Sequence, residues 1–260
     1  MPDWLELCRA ARDSVEDVLA RLPGRAEREP VVGAGEGGDD TTRIDADAEA
    51  AVLARFRDED VRIVSEEAGI LGDGRYTLVV DPIDGSLNAK RGIRFFSLSI
   101  AVAEGSTMDD VFFGYVHDFG TGEEWTAERR SGAFLDGRPL SERPKAELEI
   151  VSFEATTVRD VARHAELLQP FAHRLRVMGS LALSLCHLAA GRLDGVASPE
   201  AVRSVDIAAA ALLVRERGFA IELPDMPPFG SAPLDLERRS RVVAAGTTEL
   251  CSRLAQAHAR

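Results

Sequence analysis

Along the first 22 positions apolar residues recur at helical spacing, at Trp4, Leu7, Cys8, Ala11, Val15, Val18, Leu19 and Leu22, until Pro23-Gly24 ends the run. Proline cannot continue a helix and glycine readily closes one, so this stretch is predicted to be an amphipathic helix. Val31 to Asp40 carries Gly33, Gly35, Gly37 and Gly38, too much glycine for a regular element, and is expected to be a mobile loop leading into a second helix near Ile44. Strands are predicted at Val61 to Ser65 and at Tyr76 to Asp81, the second followed by Pro82 and the turn-forming Asp84-Gly85. The period then becomes two. Phe96, Leu98, Ile100 and Val102 alternate with Ser97, Ser99, Ala101 and Ala103 in a long strand, with Val111 to His117 and Glu123 to Ala127 as neighbours.

From about Leu148 strands alternate with helices: apolar runs at Leu181 to Ala190 and Ile207 to Val214, strands at Leu193 to Ala197, Phe219 to Leu223 and Arg241 to Ala245, then a terminal helix that Thr247 can cap. No internal repeat breaks the chain. The predicted fold class is α/β, a single domain over 1–260 with an α+β half (1–146) and an α/β half (147–260).

Composition narrows the class. A chain of 260 residues, 45% hydrophobic and 29% charged, suits a globular protein with a sizeable core. No apolar run approaches the ~20 residues that span a bilayer, and Met1-Pro2-Asp3-Trp4 lacks the basic-then-apolar design of a signal peptide. A cytoplasmic location is expected. Cys8, Cys186 and Cys251 form no CxxC pair and read as buried free thiols. The net charge of -13, from 44 acids against 31 bases, argues against nucleic acid or an anionic membrane as partner. Only Lys90 and Lys145 among those bases are lysines, a balance that suits a surface hydrated in concentrated salt. An anionic substrate must therefore meet local positive charge or a metal.

The candidate chemistry lies in acids placed where strands end: Asp45, Glu66-Glu67, Asp81, Asp84 and Asp206. Singly, Glu66-Glu67 reads as solvated surface, Asp45 or Asp206 as a helix cap, and Asp84-Gly85 as a common turn. Carboxylates that converge without bases repel one another unless a cation neutralises them, and hard oxygen donors suit Mg²⁺. In Asp81-Pro82-Ile83-Asp84-Gly85-Ser86 the proline fixes a turn, two acids can face one site, and the Ile83 carbonyl offers a further oxygen. The Gly85 and Ser86 N–H groups at a helix start suit a phosphate.

Taken together, Asp81-Pro82-Ile83-Asp84-Gly85-Ser86-Leu87-Asn88, with Ser65-Glu66-Glu67 and Thr42-Arg43-Ile44-Asp45 before it, resembles the signature of the inositol monophosphatase superfamily. Downstream, Gly179 to Asp194 and Asp206-Ile207-Ala208-Ala209-Ala210 resemble its second region, so the likeness spans nearly the whole chain. It implies a layered α-β-α-β-α sandwich and a Mg²⁺-dependent, lithium-sensitive phosphomonoesterase, commonly a homodimer, with two or three metals per site and Mn²⁺ able to substitute. It implies Glu66, Asp81 and the Ile83 carbonyl as ligands of a first metal, Asp81, Asp84 and Asp206 as ligands of a second, and Glu67 and Asp45 as support for a third, weaker one. It further implies a metal-bound water activated by Glu67 and the Ser86 hydroxyl, oriented by Thr41 or Thr42, and attacking phosphorus in line.

Two departures are visible: Ser86 stands where many members have Thr, and Val205 where many have Trp. Arg203-Ser204-Val205-Asp206 looks more like the archaeal branch, whose members often accept inositol monophosphate and fructose 1,6-bisphosphate. Arg176, Arg203 and Glu200 are the candidate contacts to sugar hydroxyls or a second phosphate, and Gly85 and Ser86 to the scissile one. A 3′-phosphoadenosine 5′-phosphate or NADP phosphatase is the alternative within the superfamily, and a catalytically silent regulatory homologue the alternative outside it. His187, between Cys186 and Leu188 in an apolar helix, reads as a core histidine.

Overall fold

The structure, a computed structural model, describes residues 2–35, 40–154 and 157–258. The chain opens with α1 (Trp4–Arg21), α2 (Arg25–Arg28), β1 (Val31–Ala34), β2 (Asp40–Thr42), α3 (Arg43–Leu53), β3 (Val61–Ser65), β4 (Gly69–Leu71), β5 (Tyr76–Asp84) and α4 (Ser86–Arg91). It continues with β6 (Ser97–Ala103), β7 (Val111–Asp118), β8 (Glu124–Glu128), β9 (Gly132–Leu135) and β10 (Arg138–Pro139). The remainder is β11 (Leu148–Phe153), α5 (Val158–Leu168), β12 (Ala172–Arg176), α6 (Leu181–Ala189), β13 (Gly195–Val202), α7 (Ser204–Glu216), β14 (Ala220–Glu222), β15 (Ser240–Ala245) and α8 (Thr248–His258).

Two large sheets organise these elements. One runs β10-β9-β8-β7-β6-β5-β3-β4, antiparallel except for the β3/β5 pair; the other runs β12-β11-β13-β15-β14, parallel on one side of β13 and antiparallel on the other. Helices α1 and α3 cover the outer face of the first sheet, α6 and α7 fill the space between the sheets, and α5 and α8 cover the second. The result is five layers, α-β-α-β-α, with an apolar core at each of the three levels. The middle core explains the long apolar runs at Leu181 to Ala190 and Ile207 to Val214: a helix packed between two sheets has almost no wet face. No helix among the described residues is long and apolar enough to cross a membrane.

Three elements differ from their predicted form. Part of the glycine-rich segment is regular, because β1 pairs antiparallel with β2 through Val31↔Thr42, Gly33↔Thr41 and Ala34↔Asp40, while Gly37 and Gly38 lie outside the described residues. All four β1 residues are exposed, so its ladder and not burial shapes it, and hydropathy carried no signal of it. Strand β5 does not stop at Asp81 but runs through Pro82 to Asp84, with its register against β6 shifting between Asp81 and Asp84. That shift is where a strand tolerates a proline, and it re-aims the side chains on either side. The predicted strand from Leu193 begins at Gly195 and extends to Val202.

Gly114 on β7 lets α7 approach the first sheet. A Cβ there would lie 2.7 Å from the Ala209 carbonyl oxygen, and its strand neighbours are Ala101 and Ala127. Gly114→Ala is expected to lower stability by about 1–3 kcal/mol through overpacking, read as a lower midpoint in urea. Nearby, His117 is 4% exposed, edge-on to Phe119, with neither ring nitrogen hydrogen-bonded among the described residues. Burial pushes its pKa down to about 4. The unfolded chain therefore takes up the proton first, so this contribution to stability is intact above about pH 6.5 and is lost as pH falls toward 4. Between pH 7 and 5 it amounts to about 2 kcal/mol. His117→Leu is expected to flatten the fall in thermal midpoint over that range relative to the wild type.

Candidate active site

The acids gather at one end of β3 and β5, where α3, α4 and α7 also begin. Asp81 and Asp84 flank the register shift of β5. Ile83 N–H donates to Asp81 Oδ1 at 2.9 Å and the Ser86 hydroxyl donates to the Ile83 carbonyl at 3.0 Å, which closes the turn over Pro82. Gly85 is left-handed, φ 92°, and a Cβ on it would meet the Gly179 carbonyl at 2.8 Å, so position 85 accepts only glycine without strain. Asp84 reaches across to the C-terminal half: its Oδ2 accepts from the Ser180 hydroxyl and from Ala182 N–H at 2.9 Å, the first turn of α6. Asp45 and Asp206 each stand at the third position of their helix, accepting the N–H of the preceding cap residue, Thr42 at 3.2 Å and Arg203 at 2.6 Å. Both are thus helix-capping residues as well as members of the site.

Ligand oxygens of Glu66, Asp81 and Asp206 lie within 4.8 Å of one another. Burial, and after it the charges of Glu66, Asp84 and Asp206, hold the Asp81 carboxyl well above the carboxylate range. Burial pushes Glu66 up to about 7 against the pull of Arg203, and Asp84 up to about 7 against the hydrogen bond from Ser180. Glu67 is raised too, chiefly by burial. Bases face this cluster. The Arg203 guanidinium pairs with Glu66 and lies 3.9 Å from Asp206, and the Lys90 ammonium lies 3.1 Å from Asp45. A compact set of hard oxygen donors whose charges burial disfavours is the environment a divalent cation relieves, so the residues fit a metal.

Two depressions share the cluster. The tighter is lined by Asp45, Glu66, Glu67, Asp81, Ile83 and Ser86. The larger, a cleft of about 640 Å³, is lined by Asp84, Asp206, Arg203 and Glu200, with Arg239, Asn88, Glu154 and the apolar Leu87, Val177, Met178, Leu181 and Val202. Thr42 turns inward on Asp45, its hydroxyl donating to Oδ2 at 2.5 Å, while Thr41 donates to Glu67 Oε2. Arg176 is not brought to the cleft. It ends β12 exposed, donating to its neighbour's carbonyl at 2.9 Å, and the wall begins at Val177. Arg203 is on the cleft, but buried against the acids. A cleft of the same volume between Leu135–Glu142 and Ala190–Arg192 has no such group of acids among the described residues.

Sequence reasoning missed three residues. Glu49 Oε1 accepts from the Ser65 hydroxyl and from the N–H groups of Glu67 (3.1 Å) and Ala68 (3.0 Å), holding the turn that carries Glu66-Glu67. Its spacing of four from Asp45, on one face of α3, was the available signal. Glu154 collects the Ser152 and Ser184 hydroxyls (2.7 and 2.6 Å) and Gly179 N–H (2.8 Å), and Arg239 lines the cleft. Neither has a local signature, since only the tertiary fold brings them there. His187 stacks on Phe95 and lies 3.3 Å from Arg192, and Cys186 is fully buried, its thiol pKa raised by burial.

Known proteins resemble this chain in sequence and fold. A fructose-1,6-bisphosphatase/inositol-1-monophosphatase of Archaeoglobus fulgidus is 32% identical over 246 residues, 94% of this chain and 93% of that protein. A bifunctional NADP phosphatase/NAD kinase of Methanocaldococcus jannaschii is 28% identical over 89% of this chain and 46% of its own length. The crystal structure of an inositol monophosphatase-fructose 1,6-bisphosphatase superposes with a TM-score of 0.87 at 27% identity, over 98% of this chain and 100% of that one. With residues 4–259 matching the family as a whole, the chain belongs to the inositol monophosphatase family.

Proposed function

We propose that this protein is a Mg²⁺-dependent phosphomonoesterase that releases phosphate from inositol monophosphate, fructose 1,6-bisphosphate or both. The observation that carries the reading is the convergence of Glu66, Asp81 and Asp206 beside a cleft of about 640 Å³, ample for a small phosphorylated sugar or cyclitol. Glu66, Asp81 and the Ile83 carbonyl would hold one ion and Asp81, Asp84 and Asp206 a second. Bound divalent metal supplies the Lewis acidity that makes water nucleophilic at neutral pH and offsets the charge of the transferring phosphoryl group.

The chain's own residues provide the rest. Glu67, raised by burial and oriented by Thr41, is placed to accept the proton of the attacking water. Ser86, whose hydroxyl donates to the Ile83 carbonyl, fixes the same turn, and the Gly85 and Ser86 N–H groups are proposed to meet phosphate oxygens. Asp84 keeps one oxygen tied to the start of α6, which aims the other. Thr42 holds Asp45 at the far rim. Glu200, Arg203 and Arg239 face the cleft where sugar hydroxyls or a second phosphate would lie. We propose further that Mn²⁺ substitutes for Mg²⁺, that Li⁺ inhibits, and that the single domain assembles as a homodimer, a mass that light scattering reads directly.

One observation favours a second reading. The cleft wall of Leu87, Val177, Met178, Leu181 and Val202 is apolar enough to seat a nucleobase, which suits a 3′-phosphoadenosine 5′-phosphate or NADP phosphatase. A silent regulatory homologue is disfavoured, because keeping mutually repelling buried acids serves no purpose without a cation.

Phosphate release from inositol 1-phosphate, fructose 1,6-bisphosphate and 3′-phosphoadenosine 5′-phosphate, with Mg²⁺ and with or without Li⁺, is the test. Metal-dependent turnover of the first two is expected; turnover of the nucleotide alone selects the second reading, and none at all the silent one. Asp81→Asn is expected to reduce turnover by roughly a thousandfold, about 4 kcal/mol of barrier. The same change is expected to raise the thermal midpoint of metal-free protein, since it removes one of the repelling charges.

A further inference from the structure

Among the acids of the tighter depression, Asp45 and Glu67 stand apart from the triad that converges on one point. The family resemblance gives them to a third, weaker metal, and in this chain a protein cation is already there. Lys90, on α4, has a largely buried side chain, 17% exposed, and its Nζ lies 3.1 Å from Asp45 Oδ2, itself on a side chain 7% exposed. The same oxygen also takes the Thr42 N–H and hydroxyl, so three donors converge on it. Glu67 in turn gives Oε2 to Thr41, and the Lys90 charge acts on Glu67 as well, working against the effect of burial. That leaves the other Asp45 oxygen on a carboxylate already paired with a fixed positive charge. Mg²⁺ takes six oxygens in a near-ideal octahedron, and a divalent ion here would also face the repulsion of the ammonium.

The sequence marks the same residue. Lys90 is one of two lysines against 29 arginines, so the chain departs from its own usage at the position that meets Asp45. A compact ammonium on a flexible stem acts as a point charge beside the Asp45 carboxylate, whereas a guanidinium presents a wide planar fork.

Resting on the metal-dependent phosphatase reading, we propose that Lys90 is a positioning residue that neutralises Asp45 in place of a third metal, so that the chain loads two divalent ions. Lys90 then keeps Asp45 oriented whatever the free metal concentration.

The test is the number of Mn²⁺ ions bound per chain, with Mn²⁺ alone added to purified protein and the free ion followed by electron paramagnetic resonance. Wild type is expected to bind two. Lys90→Met, which keeps the apolar stem and removes the charge, is expected to bind a third ion at least ~10-fold more weakly, and Lys90→Arg to stay at two. Lys90→Gln repeats the test without charge if Lys90→Met does not fold. Three ions on wild type, or two on a folded uncharged variant, would overturn the proposal and leave the phosphatase reading standing. No Mn²⁺ on wild type would overturn both.

Discussion

Mutual repulsion among buried carboxylates is the constraint on which this molecule turns. Glu66, Asp81 and Asp206 have ligand oxygens within 4.8 Å of one another, and Asp84 adds a fourth acid whose carboxyl burial holds up near 7. Nothing local would gather such groups, because each approach costs Coulomb energy in a site of reduced dielectric. The fold must impose it. The four acids come from the loop after β3, from both sides of the shift in β5 and from the first turn of α7, and the three cores fix those elements against one another. Gly114 belongs to the same account, since it sets how near α7, and with it Asp206, can come to the first sheet.

The cluster is balanced by three kinds of group. Hydroxyls and backbone N–H groups satisfy oxygens one at a time: Thr41 on Glu67, Thr42 on Asp45, Ser180 and Ala182 on Asp84, Ile83 on Asp81. Helix starts add their partial positive charge, at α3 beside Asp45, α6 beside Asp84 and α7 beside Asp206. Fixed cations supply the rest, Arg203 against Glu66 and Lys90 against Asp45. A further pair of acids serves as framework: Glu49 carries the Glu66-Glu67 turn, and Glu154 ties β11 to α6 and Gly179. These two accept hydrogen bonds from hydroxyls and backbone N–H groups that need acceptors.

What the sequence made legible was what is local. The turn Asp81 to Ser86 could be read because proline, glycine and two acids at fixed offsets dictate it, and Asp206 because it opens an apolar helix. The strand Ser97–Ala103 was readable from its period of two, although it is buried throughout, since serines and alanines fill one face against apolar residues on the other. The elements between Leu148 and Arg176 were not resolved one by one, because β12 and most of α5 bury little. Glu49 escaped notice because its partners lie 16 or more residues away, Glu154 because two of its three lie 25 or more away, and Arg239 because only the fold brings it to the cleft. Arg176 was chosen as a charge near the second signature, yet β12 ends before the cleft wall begins.

Charge also sets an order of events. The chain carries a net charge of -13, and the cluster adds locally to that field, so a phosphate monoester approaching the bare site meets acids on nearly every side. Arg203 does not remedy this, since its guanidinium already faces Glu66 and Asp206. Arg239 adds local positive charge on the cleft wall. On the proposed reading, substrate affinity in the scissile position depends on cations being in place first. Its acids are held at fixed positions by hydrogen bonds from hydroxyls and backbone groups, so divalent ions would meet a formed donor set and would offset the negative field that opposes a phosphate.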